Sequence, residues 1–437
     1  MFRKKWAFVV AILLAVSLFM VACGQGGGAS NQSSGSSSNQ KVEITFVNWA
    51  TAEEATKKQM LAVIEEFEKQ NPNIKVKNVP IPVGEQLNQL TIMTTGGNAP
   101  DIAQVHFDVG ISLAAMGALE PTDNLLSKDF LDDLNKKLYD FGMWEGKHYL
   151  IPWVGHPLGF WYNKKLLKEA GLDPNNPPQT MEELTKAMAV IKEKLPAEVV
   201  PLQIDTTIRT LGLSHEWSFM AAFGAIPIEG DKVQATKLEP FAEWLRMCVK
   251  KGYTLPGKKF GEFRPLAAQN RLVFGFDGPS FKGIIQSFDK SITDEKFYET
   301  WGVTTLPVGV DKKPYSAPDD HNLAIFKASK NKEAAVKFAE FLSRSDFAIK
   351  TYVIPLGFLP TVQSAVQRFP QEFSDPARKA YIEKVVPAVI RPPYGPNYAK
   401  IATVIMAGIQ DVITTDKPIP EILKTVQMKL EGIVHGR

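Results

Sequence analysis

Beyond residue 40 the sequence keeps exchanging two hydrophobic periods, and this exchange constrains the fold more than any single motif. Val42, Ile44 and Phe46 alternate with other residues, the pattern of a half-buried strand. Met60, Val63, Ile64 and Phe67 then recur at helical spacing until Asn71 and Pro72 stop the helix, and Thr51 with Glu54 is the capping box expected at its start. A second strand is expected around Ile74 to Val79, a second helix from about Gln86 to Thr95, and a third strand at the end of Pro100 to Val105. Strands joined by helices pair in parallel and need helices on their faces, so the rhythm predicts an α/β fold with mainly parallel sheets flanked by helices. It resumes at a second capping box, Thr180 with Glu183, and at a helix around Trp244. Strands are expected at Leu272 to Phe276, Val303 to Leu306 and Leu323 to Phe326, and a further helix from about Lys332 to Leu342. No internal repeat accompanies the rhythm. About 400 residues suffice for two lobes, and ligands in such folds sit at the carboxyl ends of strands, in the gap between lobes.

The first forty residues are of another kind. Arg3, Lys4 and Lys5 precede an uncharged apolar run from Trp6 to Ala22, which ends at Cys23. So short a run, with a basic flank on one side and polar low-complexity sequence on the other, reads as an export signal rather than a membrane span. Met20, Val21, Ala22 and Cys23 resemble a bacterial lipobox, which implies cleavage before Cys23 and lipidation of its thiol; Met20 stands where leucine is usual. Two acyl chains would then hold the protein on the outer face of the cell membrane. Gly24 to Gln40 is almost entirely Gly, Ser, Asn and Gln, which cannot bury a core and reads as a flexible leash with a reach of about 20–25 Å.

Leaving out the three basic residues of the leader brings the 50 basic residues level with the 47 acidic ones. A neutral mature chain with scattered lysines and no basic block gives no reason to expect nucleic acid as a ligand. After Cys23 only Cys248 remains, which excludes an intramolecular disulfide and a cysteine metal cage in the mature chain. Cys248 lies on the helical stripe Phe241, Trp244, Leu245, Cys248 and Val249, a packing position.

Four stretches carry a resemblance. Gly96 to Ile102 reads Gly-Gly-Asn-Ala-Pro-Asp-Ile, and Ile151 and Pro152 are followed by Trp161, Tyr162, Asn163 and Lys164. Phe276 to Pro279 and Gly357 to Pro360 come after them. In this order and spacing they are similar to the family 1 extracellular solute-binding proteins, the group that includes oligosaccharide receptors of ATP-driven importers, over nearly all of residues 41 to 435. The resemblance implies a two-lobed fold with a ligand cleft at the hinge and chain crossings near 152–155, 315–318 and 352–360. The expected organisation is a signal peptide at 1–22, the anchor cysteine and linker at 23–40, an N-terminal lobe of 41–153 with 318–350, and a C-terminal lobe of 154–317 with 351–437. It further implies the membrane permease subunits of an ABC importer as partners, a monomer that closes on its ligand, and no catalysis, cofactor or metal. One departure is Ser280, where an aromatic residue often follows the family's Gly-Pro pair; a stacking platform is lost there or supplied by Phe281.

A sugar presents flat apolar C–H patches and a ring of hydroxyls, so its receptor needs aromatic faces and fixed, planar hydrogen-bonding groups. The candidates stand at strand ends. Trp49 closes the first strand, with core packing as the alternative. His106, Phe107 and Asp108 follow the third strand, and by the resemblance Asp108 matches a loop carboxylate that accepts from sugar hydroxyls. His106 and Asp108 have the spacing of a metal pair, but no third ligand lies nearby in sequence. Trp153 and His156 flank the first crossing, and Trp217 falls among Phe219 and Phe223, where packing competes with ligand contact. Asp277, between Phe276 and Gly278 at a strand end, is costly to bury and is expected to face the cleft or cap the next helix. Asp319, Asp320, His321 and Asn322 form the densest polar cluster, with a solvated turn as the alternative. Arg391 and Tyr394, in a Pro/Gly-rich loop, complete the set.

The ligand class stays open between a carbohydrate, expected to be an oligosaccharide, and a cationic solute such as a polyamine, which the aspartates would suit. A ferric ligand would want adjacent tyrosines, which are absent, and a phosphate ester would want clustered arginines. An anchored glycosidase needs two carboxylates about 5–9.5 Å apart, which Asp277, Asp319 and Asp320 could supply, though no hydrolase motif accompanies them.

Overall fold

The computed structural model describes residues 41–436; the leader, Cys23 and the linker lie outside the described residues. β1 (Val42–Asn48), α1 (Glu54–Gln70), β2 (Ile74–Pro80), α2 (Gln86–Thr95), β3 (Ile102–Val105) and α3 (Phe107–Ala115) give the predicted opening. β4 (Leu150–Gly155) leads directly into β5 (Gly159–Asn163), and α4 (Met181–Lys194), β6 (Val200–Leu202), α5 (Thr210–Ala222), α6 (Glu239–Lys250), β7 (Leu272–Asp277), α7 (Phe281–Phe288) and β8 (Trp301–Thr304) follow. The chain returns through β9 (His321–Ile325), α8 (Lys332–Arg344) and the short β10 (Leu359–Pro360), then ends in α9 (Tyr398–Thr414) and α10 (Ile419–Val434).

These strands form two sheets, a larger one ordered β10-β4-β9-β3-β1-β2 and a smaller one ordered β8-β5-β7-β6. β1 pairs in parallel with β2 and β3, and β7 does so with β6, as helical connections demand. β9 runs antiparallel to β3 and β4, β10 antiparallel to β4, and β5 antiparallel to β7 and β8. Each sheet is therefore mixed. Strands that enter by crossing from the other sheet arrive with no helix to reverse them, so the parallel expectation holds within an unbroken strand–helix–strand run and fails at the crossings.

Alternation along the strands sorts the core. Ile44, Phe46, Ile151, Leu323 and Ile325 face α1 and α8, meeting Met60, Val63 and Phe67 on one helix and Phe338 and Leu342 on the other. Val47, Ala103, Val105 and Ala324 face the opposite way, into a core that runs past α3 to Phe160, Phe274 and Phe276 of the smaller sheet and to Phe219, Trp244 and Leu245. Each large side chain so buried stabilises the fold by ~1.5–3 kcal/mol. Cys248 is one of these core residues, and burial pushes its thiol up, as its helical stripe predicts.

Two local expectations need correcting. Thr51 does not cap α1, whose first residue follows Glu53 with no side-chain cap. The Thr51 hydroxyl donates instead to Oδ1 of Asn48, 2.9 Å away, and Oδ1 of Asn78, 3.0 Å away, contacts that tie the end of β1 to β2. The Thr180–Glu183 box is present at α4. The segment after residue 351 was expected with the second lobe, yet Val362, Ala365, Phe369 and Phe373 pack into the larger sheet's core. β10 pairs with β4 and so keeps the chain on that side until Ala377, Tyr381 and Val385 join the smaller sheet's cluster.

Candidate ligand-binding cleft

Strand direction builds the site. β1 and β3 end at Asn48 and Val105, and β9, antiparallel to β3, begins at that edge, with Asn322 opposite Val105. β4 leaves the same edge at Gly155. Trp49, His106, His156 and the turn Asp319–His321 are therefore neighbours although they come from four stretches of chain. In the smaller sheet β7 ends at Asp277, opposite Gly159 at the start of β5, and the loop through Ser280 turns toward the same gap. The gap is a cleft of about 460 Å³, within the range of small-molecule sites.

On the larger sheet's side, rings pack against rings. Trp49 stacks on His106 at 4.7 Å and meets His321 edge-on at 4.9 Å. The Gln104 amide oxygen accepts from the Ala50 N–H at 3.1 Å, so its nitrogen donates to His321 Nδ1 at 3.2 Å. That bond suits a neutral ring, and burial, reinforced by His106 and His156, holds the His321 imidazole well below its usual range. Asp319 stands 3.0 Å from His156 Nδ1 and 3.8 Å from His106 Nδ1. Burial works to raise its carboxyl, but the His156 bond and the neighbouring histidines outweigh it and bring the value down to about 2. Asp320 goes the other way: burial raises it to about 6, with the charge of Asp319 adding to the effect against the His156 N–H that it accepts at 2.7 Å.

On the smaller sheet's side an ion pair is set in place. Arg264 donates from Nε and Nη2 to the two oxygens of Asp277, both at 2.9 Å, and the Gly278 N–H adds a bond of 2.8 Å. Asp277 is fully inaccessible; burial opposes its charge, and the Arg264 pairing still holds it below the usual carboxylate range. Arg264 lies over the Phe260 ring at 5.0 Å and borders the cleft with it. The Phe260 backbone is itself clamped, its carbonyl accepting from Gln203 at 2.8 Å and its N–H donating to Asp205 at 3.2 Å.

The structure thus brings Trp49, His106, His156, Asp319 and His321 to the cleft. Asp320 and Asp277 stand behind its surface, holding His156 and Arg264. Asp108, at the start of α3, opens with His106 and Asp319 onto a narrow gap of about 10 Å³, too small for more than a water-sized group. Its carboxyl is pushed up by burial against the pull of His106. Three expected site residues are core instead. Trp153 is 1% exposed, stacks on Tyr352 at 5.1 Å and donates to the Leu342 carbonyl at 3.1 Å. Trp217 and Tyr394 meet edge-on at 5.5 Å, buried against α9. Phe281 is also buried, beside Trp161 and Phe297, and provides no platform. Sequence reasoning missed Arg264, Phe260, Ser280 as a polar contact, Tyr352 and Phe358, all of which line the cleft. The one available signal for the first was an arginine set between Phe263 and Pro265.

The model of the family described as bacterial extracellular solute-binding protein matches residues 51–348. An ABC transporter extracellular-binding protein of Pyrococcus horikoshii is 28% identical over 198 residues, 44% of each chain, so the match spans less than half of that relative. The maltotriose-binding protein of Pyrococcus abyssi is 23% identical over 367 residues, 80% of this chain and 74% of that one. Among solved structures, the GacH receptor of Streptomyces glaucescens, determined unliganded and with acarbose, is similar at a TM-score of 0.75 and 20% identity, over 90% of this chain and 99% of that one. That likeness fixes the two-lobed fold.

Proposed function

The chain belongs to the bacterial extracellular solute-binding proteins, and from that premise we propose that it is the capture subunit of an ABC importer, taking a carbohydrate of oligosaccharide size into its cleft. The observation that carries the reading is the convergence of fixed polar groups from both sheets: Arg264 and Ser280 on one side, His106, His156 and Asp319 on the other. Pre-oriented groups of this kind suit sugar hydroxyls, and a ligand touching both sides shifts the population toward the closed form. The maltotriose-binding relative and the acarbose-binding neighbour support the ligand class. Capture itself needs no chemistry, and Asp319 and Asp277 are used to hold His156 and Arg264 in place. Lipid on Cys23 and the linker would hold a monomer at the outer membrane face within reach of its permease. The lobes would then divide near 156–158, 305–320 and 374–376, where the chain passes between the two sheets or, at the last, from Phe373 in the larger sheet's cluster to Ala377 in the smaller sheet's.

Among the described residues, no helix is long and apolar enough to cross a membrane, and no group of three His, Cys, Asp or Glu side chains is arranged to hold a metal ion. A cationic solute is the second reading, favoured by the ionised Asp319 at the cleft wall. A thermal-shift and calorimetry panel separates the two, because a ligand that binds only the native state raises the melting point. Maltotriose or a related oligosaccharide is expected to raise it and spermidine to leave it unchanged. A rise with spermidine alone would reverse the assignment.

A further inference from the structure

Two of the connections between the two sheets meet at one side chain. His156 lies on the first connection, between β4 and β5. Its Nδ1 stands 3.0 Å from Asp319 Oδ2, and its backbone N–H donates to Asp320 Oδ1 at 2.7 Å, both on the second connection, between β8 and β9. Phe358, next to β10 in the larger sheet, packs edge-on against the imidazole at 5.5 Å. Nε2 stands 2.8 Å from the Ser280 hydroxyl, on the smaller sheet's side. Two glycines allow this approach: a Cβ on Gly278 would come 2.1 Å from the imidazole, and one on Gly357, at a φ of +77°, would come 3.0 Å from Ser280 Cα.

The bonding pattern has a direction. Ionised Asp319 can only accept, so Nδ1 carries the proton toward it. In the neutral ring Nε2 is then an acceptor, and the Ser280 O–H donates to it. One imidazole is thereby fixed in orientation and tautomer by the second connection, and presents its free nitrogen to the smaller sheet. His156 and Ser280 both border the cleft.

We propose that His156 is a positioning residue of the hinge: its bond to Ser280 latches the smaller sheet onto the connections and sets how the ligand-free protein divides between the arrangement seen here and a more open one. The purpose of the latch rests on the solute-capture reading, while its existence is a property of the free protein. Loss of one such bond changes the ratio of the two forms about threefold to tenfold, and apparent ligand affinity falls with the fraction of the competent form.

Distance measurements by pulsed electron resonance decide it, with spin labels on cysteines introduced at Lys77 in the larger sheet's lobe and Lys296 in the smaller's, both exposed. Cys248 is buried and takes no label under native conditions. Ser280→Ala, the mild variant, is expected to move the ligand-free distribution toward longer separations, and His156→Ala to move it at least as far. A ligand-free distribution in Ser280→Ala that matches the unsubstituted protein overturns the proposal, whatever happens to affinity, because Ser280 is then a cleft contact and no latch. Should maltotriose fail to bind the unsubstituted protein, the sugar reading falls while the latch is still decided by the ligand-free distributions.

Discussion

The two walls of the cleft reach rigidity by opposite means. The wall on the larger sheet is made of rings and shifted acids: Trp49 and His106 stack, burial keeps His321 uncharged, and burial raises the Asp320 carboxyl to about 6. The wall on the smaller sheet depends on full charges, with Arg264 and Asp277 paired through two bonds beneath the surface. A wall built from rings and shifted acids responds to pH, because its carboxyls bind protons differently in the folded and unfolded chain. A wall built from one ion pair does not, but it fails as a unit when either partner is lost. Asp319, ionised and shared between His106 and His156, stands at the seam between the two designs.

Breaking the ion pair should produce the largest effect. Arg264→Ala leaves the Asp277 carboxylate inaccessible and without its counter-charge, which lowers folding stability by about 3–5 kcal/mol. Urea denaturation at neutral pH measures it. Asp277→Asn should lose less, since the amide retains an acceptor for the Gly278 N–H and for one Arg264 bond. A loss below about 1 kcal/mol for Arg264→Ala, the range of an exposed pair, would show that the smaller wall does not depend on this ion pair.

The ring-built wall is broken by pH instead, and its two neighbouring carboxyls act with opposite sign. Asp320 is raised on folding, so its contribution is complete below the unfolded value of 3.8 and is lost as pH rises through about 6. Asp319 is depressed, so its contribution is present above 3.8 and is lost as pH falls through about 2. Asp320→Asn should therefore remove a decline in stability between about pH 4 and 6 of up to about 3 kcal/mol. Asp319→Asn should flatten a rise between about pH 2 and 4, of roughly 2 kcal/mol. Denaturation midpoints measured across pH 2–7 give both slopes. If Asp320→Asn leaves the slope above pH 4 unchanged, Asp320 is not held protonated and the contrast between the walls disappears.

The sequence showed its local patterns well and its long-range partnerships poorly, for a physical reason. The alternation at Val42 to Phe46 and the helical stripe at Met60 to Phe67 are set by neighbours within one element, and both elements form as expected. His106, His156 and the turn Asp319–His321 were legible as polar residues at strand ends, where a backbone edge must face a gap. Arg264 was not, because its role depends on Asp277 thirteen positions later and on a β7 edge that only the folded sheet creates. Antiparallel entry of β5 and β9 was hidden for the same reason: a crossing has no periodicity of its own. Trp153 misled because it sits beside the crossing in sequence while alternation turns its side chain toward α8.

The smallest expected effect sharpens the contrast between lining and lying behind the larger wall, using two tryptophans that sequence position made look alike. Trp49 borders the cleft and stacks on His106, whereas Trp153 is packed on Tyr352 and donates to the Leu342 carbonyl in the last turn of α8. Trp153→Phe keeps a ring against Tyr352 and loses that one buried hydrogen bond, so stability should fall by about 1 kcal/mol with ligand affinity unchanged. Trp49→Phe shrinks the ring that holds His106 flat against the cleft, so affinity for an oligosaccharide should fall about threefold to tenfold, or roughly 0.7–1.4 kcal/mol, with little change in the melting point. Calorimetry with maltotriose and thermal denaturation of both variants form the comparison. An affinity loss in Trp153→Phe equal to that in Trp49→Phe would mean that the larger wall transmits strain through the sheet, and that lining the cleft is no better a guide to binding than packing behind it.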